Sequence, residues 1–442
     1  MKLVLVVNSA PVRRVASALA VAALCLLAAC KPAPQAAGEA EAGAIAVSAP
    51  VTITALIWAP DWPQEMQRIA AEFSRLNPDI KVDLQFMIGN SVEENLKPKV
   101  ASRKLPDLMS VNPNPYAAEL ADQGVLADVG DAPAWQRLRP GLKADWISPN
   151  GKHFGVAGGV AATLIYYNKR MFREAGIATL PTDFAQFLDV CERLKRAGFT
   201  PLYWSGGFPN LIANGAFSFG FANNIVRTTP DWKARIADGT LALDNPAGAD
   251  IFAKLHTLAQ RGYTQPDMMR SGYAEGISSF VEGRTAMAFQ GTWAAGSLLH
   301  PAGFDVGVFV PPWHARGVAS VPVIGSETGF AVGETVNKAQ ALRFLEYISG
   351  AGFAIQQKKR QNITPFTTAT GEQQGDPQIL AYLAQIERAP VTGSPYYSML
   401  PANTIDLLHQ LIQDVLSNRL TARQAARRLE GSIRDEAHRN NK

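Results

Sequence analysis

Between residues 51 and 86 the chain reads strand, helix, strand. Val51 to Trp58 is a β-rich run. Met66, Ile69, Phe73 and Leu76 then recur at helical spacing until Asn77-Pro78 stops them, and Ile80, Val82, Leu84 and Phe86 alternate as a second strand. A β-α-β unit of this kind builds a parallel pair with a right-handed crossover. The alternation continues. A helical stretch containing Leu96 and Val100 precedes a strand at Asp107 to Val111, and a strand at Leu164 to Tyr167 runs into a helix at Lys169 to Ala175 stopped by Gly176. Thr182 is placed as the N-cap of the next helix, with Asp183 near the positive end of its dipole. Gly198 ends that helix and Pro201 to Trp204 begins another strand. The class is therefore α/β. Two helices close the chain, Thr404 to Leu416 and Thr421 to Ala437, the second opened by the capping box Thr421-x-x-Gln424.

The first 29 residues stand apart from this pattern. Lys2, Arg13 and Arg14 form a basic front, Val15 to Leu27 is a short apolar core, and small residues follow, as in a secretory signal. Leu27-Ala28-Ala29-Cys30 resembles a bacterial lipobox, so cleavage before Cys30 and lipidation of its thiol are expected; the alternative is ordinary Ala-x-Ala cleavage with Cys30 incidental. Residues 30–48 are rich in Ala, Gly, Pro, Gln and Glu and read as a flexible tether. A lipid anchor followed by a tether holds a domain at a membrane surface while it works in water.

The whole chain carries 42 basic and 38 acidic residues, a net charge of +4; residues 1–29 hold three of the basic groups and no acid, so their removal leaves +1. A nearly neutral domain has no electrostatic footprint for nucleic acid. With Cys25 removed and Cys30 acylated, Cys191 is left without a disulfide partner. It shares a helix face with Phe184, Phe187, Leu188 and Leu194, the place of a small buried hydrophobe. About 395 residues of globular composition follow the tether, too many for one core, and imply two domains.

No nucleophile elbow, S-x-x-K, H-E-x-x-H or Walker motif occurs, and the six histidines lack metal-ligand spacing, so neither metal nor cofactor is expected. Glu93-Glu94 read as a solvated helix face. A glycosidase stays open as an alternative, because its two carboxylates can come from anywhere in a chain. The aromatic residues are more informative. Trp58, Asp61 and Trp62 follow the first strand, Asn112 and Asn114 follow the strand ending at Val111, Tyr166 and Tyr167 end another, and Trp204 follows the next. In "FVEGRTAMAFQGTW" (280–293), Thr285 to Phe289 reads as a central strand, Gly291 as its breaker, and Trp293 as pushed beyond the carboxyl end, where open α/β sheets bind ligands. The competing reading is that Trp293 caps the core; core packing is preferred for Trp135, Trp232 and Trp313. Aromatic faces beside Asp, Asn and Glu suit a sugar, whose C–H faces stack on rings and whose hydroxyls need partners.

Several segments, in order, resemble the family 1 extracellular solute-binding proteins that serve ATP-binding-cassette sugar importers: "VTITALIWAPDWPQEMQRIAAEFSRLNPDIKVDLQF", "PDLMSVNPNPYAAELADQGVLADV", "LIYYNKRMFREAGIATLPTDFAQFLDVCERLK", "FVEGRTAMAFQGTW" and "GSETGFAVGETVNKAQALRFLEYISG". The resemblance covers about residues 50 to 440. It implies a two-lobed periplasmic-binding-protein fold, with lobe one at 49–158 plus 330–363 and lobe two at 159–329 plus 364–442. Crossings are expected near Gly155 to Val160, Gly325 to Phe330 and Ile363 to Phe366, with the ligand in the cleft between lobes. It also implies a monomer that binds a carbohydrate, docks on importer membrane subunits, and carries out no covalent step. Trp293 resembles the family's cleft tryptophan. Trp58, Asp61, Trp62, Asn112, Asn114, Tyr167, Trp204, Ser326 and Glu327 fall where cleft residues commonly lie. At "GSET" the chain departs from the family's usual Gly-Gly-aromatic, so Glu327 is read either as a cleft residue or as part of the hinge. A polyamine or a phosphorylated glycerol remains the alternative solute.

Overall fold

The computed structural model describes residues 49–89, 91–367 and 375–440; Cys30, the signal segment and the whole tether lie outside them. The first unit forms as its pattern dictates. Strand β1 (Val51–Ile57) pairs in parallel with β2 (Ile80–Phe86), and the helix Pro63–Leu76 between them buries Met66, Ile69, Ala70 and Phe73. On its other side β1 pairs in parallel with β3 (Leu108–Val111).

Strand β4 (Val160–Asn168) belongs to a second sheet, with β5 (Thr200–Tyr203), β6 (Thr285–Gly291), β7 (Val306–Phe309) and β8 (Ile324–Ser326). The chain then returns as β9 (Gly329–Val332), antiparallel to β3, so the first sheet has the order β2-β1-β3-β9 and the second β5-β6-β4-β7, with β8 pairing the start of β4. The second sheet departs from a parallel reading. Only β5 and β6 run parallel in it, while β4 is antiparallel to β6, β7 and β8. Local sequence pattern reports a strand but not its direction, which here follows from long connections.

The buried apolar residues form two clusters. One fills the first sheet and continues onto the second through Val160, Leu164, Tyr166 and Ala288; the other gathers Ile165, Leu202, Met287 and Phe289 with the carboxyl-terminal helices Ala402–Leu416 and Ala422–Asn440. Neighbouring residues of β4 and of β6 thus face different clusters, as a pleated strand covered on both sides requires. Trp135, Trp232 and Trp313 are all buried, as is Cys191, whose thiol burial pushes above its usual range.

Two local readings are corrected. The helix Phe184–Arg196 is capped by Asp183, whose carboxylate accepts from the Gln186 amide at 2.9 Å, while Thr182 donates to the Gln186 side chain instead. Glu93 is not solvated. It is 1% exposed and takes the amides of Asn112 (2.9 Å) and Asn114 (2.6 Å), and burial raises its carboxyl above the ordinary range. Glu94 is exposed.

Candidate ligand-binding cleft

The carboxyl ends of β1, β3 and β6 open onto one cavity that communicates with solvent. Trp58, Asp61 and Trp62 reach it from the loop after β1, Asn112 from the end of β3, Trp293 from beyond β6, and Glu327 and Thr328 from the β8–β9 link. Six of the ten residues expected in a cleft therefore share a wall.

Trp293 is held there by its neighbours. The Tyr166 hydroxyl donates to the Gly291 carbonyl at 3.0 Å and the Thr292 hydroxyl to the Val160 carbonyl at 2.8 Å. Gly291 is the last residue of β6, with ordinary extended φ −99° and ψ 174°, and its role is steric. A Cβ at this position would stand 2.0 Å from Cζ3 of the Trp293 ring. Gly291 is required because the indole lies on its backbone, which leaves the ring partly exposed to the cavity.

Charge is concentrated at one end. Arg360, at the end of the helix Ala351–Arg360, is 8% exposed; its Nη2 donates to Glu327 Oε2 at 2.8 Å and its guanidinium lies 5.1 Å from the Trp62 ring centre. Such stacking suits a planar, weakly hydrated cation. Burial raises the carboxyls of Glu327 and Asp61, against the pull of Arg360 on both. Two acceptors and one guanidinium beside aromatic faces suit a neutral polyhydroxyl ligand, which can donate to the carboxylates and stack.

The other four expected residues stand outside this wall, each for an identifiable reason. Tyr167 ends β4, which runs against β6, so it lies at the opposite edge of the sheet from Trp293 and packs on Phe172 and Phe309. Trp204 is at the right edge, but it is 2% exposed within the second cluster, with Gln265 bridging its backbone N–H and C=O. Ser326 is fully buried, accepting from Trp146 Nε1 at 3.0 Å and donating to Asp145 at 2.9 Å. Asn114 caps the helix Pro115–Asp122, accepting from the Ala117 amide at 3.0 Å. The wall also contains residues that sequence reasoning missed, among them Phe208, Asn214, Tyr273, Arg360 and Tyr397. They come from loops and helices distant in sequence. Arg360 ends the basic run Lys358-Lys359-Arg360, which by itself signals only a helix C-terminus.

The family of bacterial extracellular solute-binding proteins matches over residues 59–354, two thirds of the chain. The chain belongs to that family. Among curated relatives it is similar to the multiple sugar-binding protein of Streptococcus mutans, 23% identical over 296 residues, which cover 65% of this chain and 68% of the relative. Among solved structures it is similar to RafE in complex with raffinose (TM-score 0.72, 21% identity, 87% of this chain and 99% of the other). It is also similar to a chitin oligosaccharide binding protein (TM-score 0.74, 21% identity, 88% and 99%) and to a Bacillus licheniformis sugar transporter in complex with stachyose (TM-score 0.73, 17% identity, 86% and 99%). At these identities the structures establish the two-lobed fold. Family membership makes the chain a solute-binding protein that works outside the cytoplasm, and no described helix is long and apolar enough to cross a membrane.

Proposed function

We propose that this member binds a carbohydrate in the cavity and delivers it to the membrane subunits of an ATP-binding-cassette importer. The single observation that carries the reading is the convergence of three tryptophans, Trp58, Trp62 and Trp293, with Asp61, Glu327 and Arg360 on one cavity wall. The similar proteins described as sugar-binding support it. In this reading residues 49–158 plus 330–363 form one lobe, residues 159–329 plus 364–442 the other, and the protein acts as a monomer tethered by a lipid on Cys30. The ligand closes the lobes by binding the closed form more tightly than the open one. The ligand contacts are Trp58, Asp61, Trp62, Asn112, Trp293 and Glu327. The polyamine alternative loses ground because Arg360 already neutralises much of the carboxylate charge a polycation would need.

The test is a melting-temperature screen of the unliganded protein against raffinose, stachyose, diacetylchitobiose, spermidine and glycerol phosphate, with a reducing-end assay on the sugars. A stabilising shift with a sugar and no new reducing ends supports the reading. A shift with spermidine or glycerol phosphate alone refutes the sugar assignment, and turnover refutes the binding-protein assignment.

A further inference from the structure

Three segments at the junction of the two sheets meet at one side chain. Two are passages between the sheets, one through Gly158 and Gly159 into β4 and the other the Glu327-Thr328 link between β8 and β9; the third, Arg360 through Asn362 to Ile363, leaves the helix Ala351–Arg360 and bridges to Val160. Their backbones are laced together. The Val160 amide donates to the Ile363 carbonyl at 3.2 Å, and the Glu327 amide to the Gly159 carbonyl at 3.0 Å. The Glu327 carboxylate lies in the centre of this lacing. Its Oε2 accepts from Arg360 at 2.8 Å and from Asn362 Nδ2 at 3.4 Å, and a Cβ on Gly159 would stand 2.5 Å from its Cδ. Gly159 is glycine because the carboxylate occupies the space of a side chain.

Glu327 also faces the cavity, and its second oxygen, Oε1, is buried without a protein partner, as is Nε of Arg360. A carboxylate oxygen left unpaired in a site 5% exposed is costly and is poised to accept a hydrogen bond. Glu327 thus borders the cavity with one carboxylate oxygen buried and unpaired, while the other is held among the three segments.

We propose that Glu327 couples ligand binding to lobe closure: a hydroxyl of the bound sugar donates to Oε1, and the carboxylate, fixed by Arg360 and Asn362, transmits that contact to all three segments at once. Arg360 and Asn362 are positioning residues. This rests on the carbohydrate reading above and adds which contact drives closure. The tryptophan faces supply stacking; Glu327 supplies the difference between open and closed states that a closing ligand needs. The group entering this end must be a hydrogen-bond donor. A carboxylate or phosphate there would face Glu327 and Asp61 with the one guanidinium already paired.

The experiment uses whichever of raffinose, stachyose and diacetylchitobiose most raises the melting temperature of the unmutated protein. Compaction is followed by small-angle X-ray scattering with and without saturating sugar. The unmutated protein is expected to compact. Glu327→Gln, nearly isosteric, is expected to bind about ten- to hundredfold more weakly and to stay extended even at saturation. Asp61→Asn, on the same wall but outside the lacing, is expected to lose affinity yet compact fully once saturated. A second measurement needs no variant: on sugar addition, amide exchange should slow together in residues 156–160, 324–330 and 361–363 of the unmutated protein. Full compaction of saturated Glu327→Gln overturns the proposal, as does protection confined to residues 58–62 and 293. If Glu327→Gln does not fold, the exchange result decides alone. If no sugar raises the melting temperature, the carbohydrate reading itself fails and the proposal falls with it.

Discussion

Replacing Gly291 by alanine tests whether the Trp293 ring is a ligand platform. The added Cβ would begin 2.0 Å from Cζ3, 2.2 Å from Cη2 and 2.3 Å from Cε3. Ordinary carbon–carbon contact needs about 3.5 Å, so the ring must retreat by roughly 1.5 Å. The backbone at 291 is extended and accepts alanine without strain, so the ring takes up the change. Because the indole borders open cavity on one side, it can swing, and the unliganded protein should lose less than about 1–3 kcal/mol, the range for overpacking a closed core. Binding responds differently. A sugar face covering about 80 Å² of indole contributes ~2 kcal/mol at ~25 cal/mol per Å², so loss of registered stacking weakens affinity up to about thirtyfold. Trp293→Ala sets the limit of this effect. Urea unfolding without ligand and calorimetric titration with the best-binding sugar read the two quantities. Wild-type affinity in Gly291→Ala would refute the platform role. A stability loss of ~3–5 kcal/mol in Trp293→Ala, the cost of truncating a core aromatic, with normal binding by the folded fraction, would make Trp293 a core residue.

Burial holds the His409 imidazole down to about 4, while its Nε2 lies 3.0 Å from the Tyr396 hydroxyl. The unfolded chain takes up a proton near pH 6.5 and the folded one only near 4, so this contribution is intact above pH 6.5 and is lost as pH falls towards 4. The loss is about 3 kcal/mol. His409→Gln should flatten that part of the unfolding free energy against pH, and an unchanged curve would contradict it. Glu93→Gln should keep or raise stability at pH 8, because burial disfavours the charged carboxylate, whereas Glu93→Ala strands two asparagine amides and should cost ~2–3 kcal/mol by urea denaturation. Cys30→Ser should release the protein from membranes, or leave the precursor uncut, without changing sugar affinity; normal processing and unchanged membrane association would show that Cys30 is not the lipid site.

Local spacing alone was enough for the first β-α-β unit and for the Thr421–Gln424 capping box, whose two reciprocal bonds form at 2.9 and 3.2 Å. Both are specified by residues a few positions apart, and periodicity and capping chemistry act at that range. The tryptophans after β1 and β6 were legible for a related reason: a strand's carboxyl end is a local feature, and loops there face one edge of a sheet. Which edge was not legible. Tyr167 ends its strand as clearly as Trp293 follows its own, yet β4 runs against β6 and carries Tyr167 away from the cavity. Strand direction depends on how distant segments pair, and no local pattern records it. The same limit hid Glu93, which has the surroundings of a solvated helix residue in sequence but is buried by asparagines 19 and 21 positions away. It also hid the Glu327–Arg360 pair, whose members are 33 residues apart. The meeting of three chain segments at one carboxylate exists only once the sheets have formed, because each segment supplies part of what surrounds it. The sequence by itself determined the elements and the kinds of side chain at their ends; tertiary packing decided which of those ends face one another.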